Sequence, residues 1–479
     1  MLIALLIDNI DFFEEKDDFV NITVDKLTPI VDKIYFLGGK KEEKLSFTKS
    51  KELLSFLKDN HPDTNVLILN ACSPLFDVSL TKEMIEEHIE YVFDYTYPEN
   101  IPAGLLPEIF DTTMIEYFIQ TIPDNFPLFK NSIKELIEGE ISSYDCNIFI
   151  TDTELAKYRI DFIPDNLNNL NIIKEIIKKH SSSLDIKKIE DIIKNEPEIL
   201  RGRPTYYEIE LTTERERGEI FASNKLQRSG FIKIKDFEQI IEEIHNFSYN
   251  PVVSLGLYGE VFLHPDINQI IDIVDKYKDI NFLFESRGLY QDIEKVKKAL
   301  SLNNVKVIFD ISFINPENFK LYKSPLNDLI PVKDLNLIEK EIKSLDNKDK
   351  IYIQFTRTKT NEEELLKFYE KWSEFKDRII VKKLDTFCGV LNDKRVVDLS
   401  PVKRFFCYHL KNDMVIFFNG DVPLCREDLN GNKIIGNILK DGIKNCWENG
   451  KEFFISHFNG SFKPEELCKN CDEWWIFNF

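Results

Sequence analysis

Four cysteines near the C-terminus, Cys407, Cys425, Cys468 and Cys471, have the residue type and spacing to hold a metal centre. Gly420 lies between the first two, and a Cys-x-x-Cys pair closes the set. Four thiolates so placed suit either a tetrahedral zinc or a cubane iron–sulfur cluster, because both accept Cys₄ ligation; spacing alone does not choose between them. The stretch 415–422 reads as a hairpin whose Asn419-Gly420 turn delivers Cys425 beside Cys407. Cys446, next to Trp447 on an expected helix, reads as a buried core thiol and is left out of the set.

These residues need a scaffold. A chain of 479 residues is too long for one ordinary core, and domains of about 100–200 residues give an expectation of about three. With 43% hydrophobic and 30% charged residues it reads as globular rather than disordered. A formal charge of −21 repels a phosphate backbone, so nucleic acid is not an expected partner. The apolar opening 1–7 lacks a basic n-region and runs straight into Asp8, Asp11, Glu14 and Glu15, so it reads as a β-strand and not a signal peptide. No apolar run approaches the roughly 20 residues of a membrane-spanning helix. The expected compartment is the cytoplasm, where clustered cysteines suggest metal before disulfide.

The expected fold class is α/β, in three segments. Segment 1–200 alternates strands over 2–7, 34–37 and 65–70 with helices over 81–92 and 133–138. Gly202 and Pro204 punctuate a boundary. Segment 201–398 then repeats strand and helix: strands over 205–211, 252–257, 281–285, 305–311, 350–355 and 378–382, helices over 237–244 and 267–277. Such a series suggests a partial (β/α) barrel of parallel strands. Segment 399–479 is cut into short turns by Gly420, Gly431, Gly436, Gly442 and Gly450.

The tail resembles a known family. Residues 401–407, Gly420-Asp-Val-Pro-Leu-Cys425, Ile435-Gly-Asn-Ile438, Trp447 and Cys468-Lys-Asn-Cys471 resemble the SPASM domain, which extends many radical SAM peptide-modifying enzymes and binds auxiliary [4Fe–4S] clusters. The resemblance implies one [4Fe–4S] cluster on Cys407, Cys425, Cys468 and Cys471, and favours iron over a zinc ribbon. Longer SPASM domains carry further cysteines for a second cluster, which this tail lacks apart from Cys446.

The middle segment is similar to a radical SAM barrel over 203–213 and over Val253-Ser-Leu-Gly-Leu-Tyr-Gly-Glu260. In that family the first strand leads into a Cys-x₃-Cys-x₂-Cys loop; here 214–222 reads Glu-Arg-Glu-Arg-Gly-Glu-Ile-Phe-Ala, and no cysteine lies between Cys146 and Cys388. Carboxylates and guanidiniums do not replace three soft thiolates around a low-potential cluster, so the expectation is a barrel unable to cleave S-adenosylmethionine. Gly259 and Glu260 stand where the family contacts the methionine amino group and could hold that nucleoside without cleaving it. The simpler reading is a turn glycine with a solvated carboxylate. His264-Pro-Asp266 reads as a helix start, without an acid–base partner.

The N-terminal segment resembles sugar-activating cytidylyltransferases of the GT-A type over 65–77, 97–110 and 158–165. Its first loop, 8–18, is acidic where a triphosphate needs a Gly-rich basic cradle; Asn70-Ala71 replaces a Mg²⁺-binding Asp, and Leu106 falls at the later Gly-Leu-Asp position. Asp161 and Asp165 remain, as expected surface carboxylates. The whole arrangement, a Rossmannoid GT-A-like domain, a radical SAM-type partial barrel and a small Cys-rich SPASM domain, resembles the spiro-SPASM family described from spirochetes. That family names an architecture without a reaction. Three functions stand open: an iron–sulfur protein that relays electrons or docks a peptide for a separate enzyme; a nucleotide-sugar or peptide-modifying transferase with displaced active residues; and a zinc-stapled structural partner.

Overall fold

The computed structural model describes residues 1–39, 44–47, 49–124, 134, 137, 141–214, 226–288, 292–312, 314, 335–397 and 400–476. They divide into two units, Met1–Leu200 and Arg201–Phe479. No helix among the described residues is long and apolar enough to cross a membrane.

The first unit is built on a seven-stranded sheet. Its strands are β1 (Leu2–Asp8), β2 (Lys33–Gly38), β3 (Lys44–Leu45), β4 (Asn65–Asn70), β5 (Tyr95–Glu99), β6 (Glu108–Asp111) and β7 (Cys146–Ile150), in the order β3-β2-β1-β4-β6-β5-β7. β1 runs parallel to β2 and β4, and β6 runs antiparallel to β4 and β5. The continuous buried run Ile3-Ala-Leu-Leu6 in β1 is what a central parallel strand covered on both faces requires. The helix expected over 81–92 is Val78–Glu90, started three residues earlier because the Asp77 carboxylate accepts the Leu80 N–H at 3.0 Å. The helix expected over 133–138 falls largely outside the described residues.

The second unit carries β8 (Tyr206–Ile209), β9 (Val252–Ser254), β10 (Asn281–Ser286), β11 (Val305–Asp310), β12 (Ile351–Arg357), β13 (Ile379–Lys383) and β14 (Asp413–Ile416), in the order β13-β12-β11-β10-β9-β8-β14, every neighbouring pair parallel. Helices Ile234–Phe247, Ile267–Val274, Ile293–Leu300 and Leu335–Lys343 connect successive strands. Alternation along each strand divides the labour. Tyr207, Ile209, Phe282, Phe284, Phe309 and Ile353 belong to the unit's main apolar core, each fully buried ring or branched chain contributing about 1.5–3 kcal/mol. The intervening Glu285, Ile308 and Gln354 line cavities instead. The tail therefore does not stand apart from this sheet, because β14, from segment 399–479, is its seventh strand.

That placement corrects the hairpin expected over 415–422. The tight turn exists: Gly420, at φ 84°, donates its N–H to Phe417 O, and Phe417 N–H donates to Asp421 O. Its two arms pair elsewhere, β14 with β8, and β15 (Asp421–Pro423) antiparallel with β16 (Ile434–Asn437). The apolar Met414–Phe417 is buried, and a parallel edge strand buries such a run better than a free two-stranded hairpin does.

Candidate metal centre

The four predicted cysteines sit on three separate short elements. Cys407 precedes the helix Tyr408–Asn412, Cys425 follows β15, and Cys468 ends the helix Glu465–Cys468 with Cys471 in the next turn. Backbone and side-chain bonds draw these elements together. Tyr408 N–H donates to Trp474 O at 3.0 Å, and the buried His409 bridges Asp413 (2.6 Å) and Glu473 O (3.0 Å). Arg404 donates to Cys468 O at 2.6 Å while stacking on Phe462 at 4.0 Å. The Cys425 loop is folded back by Asp428, whose two carboxylate oxygens accept the N–H groups of Asn432 (2.8 Å) and Lys433 (2.7 Å).

All six pairs among Cys407, Cys425, Cys468 and Cys471 lie within electrostatic reach of one another. Burial, reinforced by these neighbours, pushes the thiols of Cys407 and Cys425 well up and that of Cys468 to about 12. Without metal these three are protonated, so metal uptake releases protons. Cys471 is lowered, first because it accepts a hydrogen bond from the Cys388 thiol. Among the described residues no group of three or more His, Cys, Asp or Glu side chains is arranged to hold a metal ion. An all-sulfur donor set, with Cys407 and Cys468 buried and Cys425 and Cys471 half-buried, suits an iron–sulfur cluster. Cys446 takes no part: it is fully buried in the main core against Gly436.

Sequence reasoning missed three neighbours of the centre. Arg426, directly after Cys425, pairs with the buried Glu208 of β8 at 2.9 Å, and its backbone oxygen accepts the Tyr258 hydroxyl. Burial works against its charge, but Glu208, Asp385 and Glu427 outweigh that and hold the proton on. Glu427 is 2% exposed and finds no hydrogen bond for either carboxylate oxygen; burial, with Asp385, Glu473 and Cys471 nearby, pushes its carboxyl far above the usual range. Cys388 is the third. Nothing in the spacing of an isolated Cys388 marked it, and Arg426 and Glu427 look like ordinary loop charges until β8 is placed beside them.

Arg426 also faces two cavities at the strand ends, of about 110 and 530 Å³, which share Glu285, Gln354, Lys382, Lys383 and Asp385 in their walls. Gly259 and Glu260 line the smaller one. A Cβ on Gly259 would fall 1.8 Å from Thr212 O, so close strand packing fixes the glycine. Glu260 is not the solvated carboxylate expected: it is 2% exposed and accepts the N–H groups of Phe262 (3.4 Å) and Arg287 (2.9 Å). His264 is structural, its two ring nitrogens bonded to Ile232 O and Asp266 N–H. Of the loop 214–222 that replaces the family's cysteines, all but Glu214 lies outside the described residues.

In the first unit, Lys16 of the acidic loop and Lys26 of the following helix are both engaged. Lys16 pairs with Asp8 (2.6 Å) and Asp11 (2.5 Å), and Lys26 donates to three backbone oxygens, of Pro74, Phe76 and Ser182. Asn70 is tied to Cys72 N–H and to Asn9. Asp161 and Asp165 cap local backbone and side chains. A cavity of about 390 Å³ at the ends of β1 and β4 is walled half by Leu and Ile, Leu106 among them, and also by Asn9, Asn70, Glu108 and Lys134.

Residues 407–472 match the SPASM family, an iron–sulfur cluster-binding domain. The chain thus carries a SPASM domain at its C-terminus, and with it a connection to iron–sulfur chemistry. An uncharacterized protein of Treponema pallidum (strain Nichols) is 27% identical over 362 residues, covering 72% of this chain and 98% of that one. Among solved structures, BtrN in complex with AdoMet and 2-DOIA matches at TM-score 0.40 and 15% identity, over 56% of this chain and 92% of that chain. SuiB of Streptococcus suis, bound to precursor peptide SuiA, matches at 0.43 and 16%, over 70% and 78%. A cytidylyltransferase from Leptospira borgpetersenii matches at 0.35 and 13%, over 41% and 95%.

Proposed function

We propose that the protein is a cytoplasmic iron–sulfur protein holding one [4Fe–4S] cluster on Cys407, Cys425, Cys468 and Cys471, and that its barrel binds a substrate without generating a radical. The observation that carries this reading is the gathering of four thiols from three elements, with Cys425 one residue from the Arg426 that walls the barrel-mouth cavities. The cluster, when bound, supplies one-electron chemistry.

The chain's own residues do the rest. Thiols raised by burial release protons as they ligate. Arg426, fixed by Glu208 and Tyr258, joins the ligand loop to the cavity wall. The larger cavity is of a size for a small molecule or a peptide side chain, and its mixture of Lys382, Glu285, Asp385 and Trp475 suits a peptide better than a nucleotide. The protein then relays electrons to, or docks the peptide substrate of, a separate modifying enzyme. In the test, dithionite-reduced, reconstituted protein is incubated with S-adenosylmethionine. A reducible cluster signal with no 5′-deoxyadenosine is expected; 5′-deoxyadenosine in excess over protein overturns the reading and favours a radical enzyme.

A further inference from the structure

We propose that the unpaired edge of β13 takes an extended acidic peptide as an added strand, with Lys382 pairing one of its carboxylates. The proposal rests on the peptide-docking reading above and names where the peptide lies and what charge it carries. β13 is the end strand of its sheet and is bonded on one side only, to β12. Among the described residues, no main-chain group outside β12 hydrogen-bonds to the main chain of Ile379–Lys383. Such an edge offers a row of N–H and C=O groups that one more extended strand satisfies.

The larger cavity runs along that edge. Successive side chains of a strand point to opposite faces. Ile380 accordingly packs on one face, with Tyr206 and Ile308, and Ile379 on the other, against the main core. Yet the consecutive residues Ile380, Val381, Lys382 and Lys383 all line the same cavity of about 530 Å³. A space touched from both faces passes round the edge of the strand and reaches its backbone. Two apolar side chains in its wall stand open to solvent, Val381 at 36% and Val397 at 46%, and an added strand would cover them.

The charges of the cavity select the peptide. Arg357, Lys383, Arg395 and Arg426 each hold a carboxylate of this chain at 2.5–2.9 Å. Lys382 is half-buried in the same wall and makes no ion pair or hydrogen bond among the described residues. The acids of the wall are engaged: Glu285 accepts the Ser254 hydroxyl and Asp385 the Phe387 N–H, both at 2.7 Å, and Glu473 pairs with Lys383. The uncommitted charge is therefore positive. A strand laid on β13 alternates its side chains, so a Glu or Asp on the cavity face meets Lys382 while apolar residues between them cover Val381. A half-buried cation is less screened than an exposed one and holds a carboxylate more firmly.

Fluorescence anisotropy on the full-length protein tests it, with a labelled peptide alternating Val and Glu, capped at both ends and long enough to span β13. Three further probes separate charge from strand pairing: the same peptide with Lys for Glu, and two versions N-methylated at alternate residues, one in each phase. The Val-Glu peptide should bind. The Lys peptide and one of the two N-methylated phases should bind more weakly by about tenfold or more, and Lys382→Met should weaken the Val-Glu peptide about tenfold, the loss of one charge-assisted hydrogen bond. A Lys peptide that binds as well as the Val-Glu peptide, or two N-methylated phases that bind equally, overturns the proposal. Should Lys382→Met fail to fold, hydrogen exchange on the wild type decides: the Val-Glu peptide should slow the amides of residues 379–383, and unchanged exchange there counts against strand addition. Iron and sulfide measured on the same samples report the underlying reading separately. A loaded protein that binds none of these peptides removes the docking site and leaves the iron–sulfur reading standing.

Discussion

The N-terminal cavity and the cysteine centre are both places where a family resemblance leads one to look for chemistry, and they are furnished in opposite ways. In the first unit, Lys16 and Lys26 are tied to neighbouring carboxylates and backbone oxygens, Asn70 is held by local bonds, and Leu and Ile make up half of the cavity wall. Around the second, four thiols from three elements lie within electrostatic reach of one another, Cys407 and Cys468 buried and Cys425 and Cys471 half-buried, with the buried carboxyl of Glu427 beside them at considerable energetic cost. A fold repays the desolvation of such groups only through partners, which makes this set the stronger candidate for a ligand site.

The largest expected effect breaks the second region outright. Cys468→Ser should abolish the visible absorbance of anaerobically loaded protein, and unchanged colour would assign the ligand to another residue. Next comes the link between centre and cavity. Arg426→Met strands the buried Glu208 and should cost about 3–5 kcal/mol in chemical denaturation of the metal-free protein; a loss under about 1 kcal/mol would mean that water or another cation already serves Glu208.

A third effect depends on pH. His457, 1% exposed, is held at about 4 by burial, against an ordinary 6.5. The unfolded chain binds a proton that the fold resists, so stability is fully present above about pH 6.5 and is lost as pH falls towards 4. The loss is on the order of 3 kcal/mol. Denaturation of metal-free wild type and His457→Gln at pH 7 and pH 5 checks it: the wild type should weaken more than the variant, and equal slopes would remove His457 as the cause. The smallest effect sharpens the first region: CTP with Mg²⁺ should leave the melting temperature unchanged, and a saturable rise would show that the N-terminal cavity still takes nucleotide.

Much of this was legible in the sequence where pattern and burial agree. The strands over 34–37, 65–70 and 281–285 read directly from apolar runs and lie within β2, β4 and β10, and the one over 305–311 overruns β11 by a single residue. The four cysteines were legible from type and spacing. The pairing of β14 with β8 was not, because an Asn-Gly turn between apolar arms looks the same whether those arms meet each other or different strands. Nor was the burial of Glu260 and Glu427, since a carboxylate's surroundings come from elements distant in the chain. Cys388 was hidden for the same reason: its partner Cys471 reaches it only through the fold.

The claim on which the rest depends is one cubane on four tail cysteines. Its most direct measurement is iron, acid-labile sulfide and zinc per chain in anaerobically purified protein, with Mössbauer spectra of the same sample. The account predicts about four irons and four sulfides per chain in a [4Fe–4S] environment, with zinc absent. One zinc per chain without sulfide would contradict it and make the tail a structural staple.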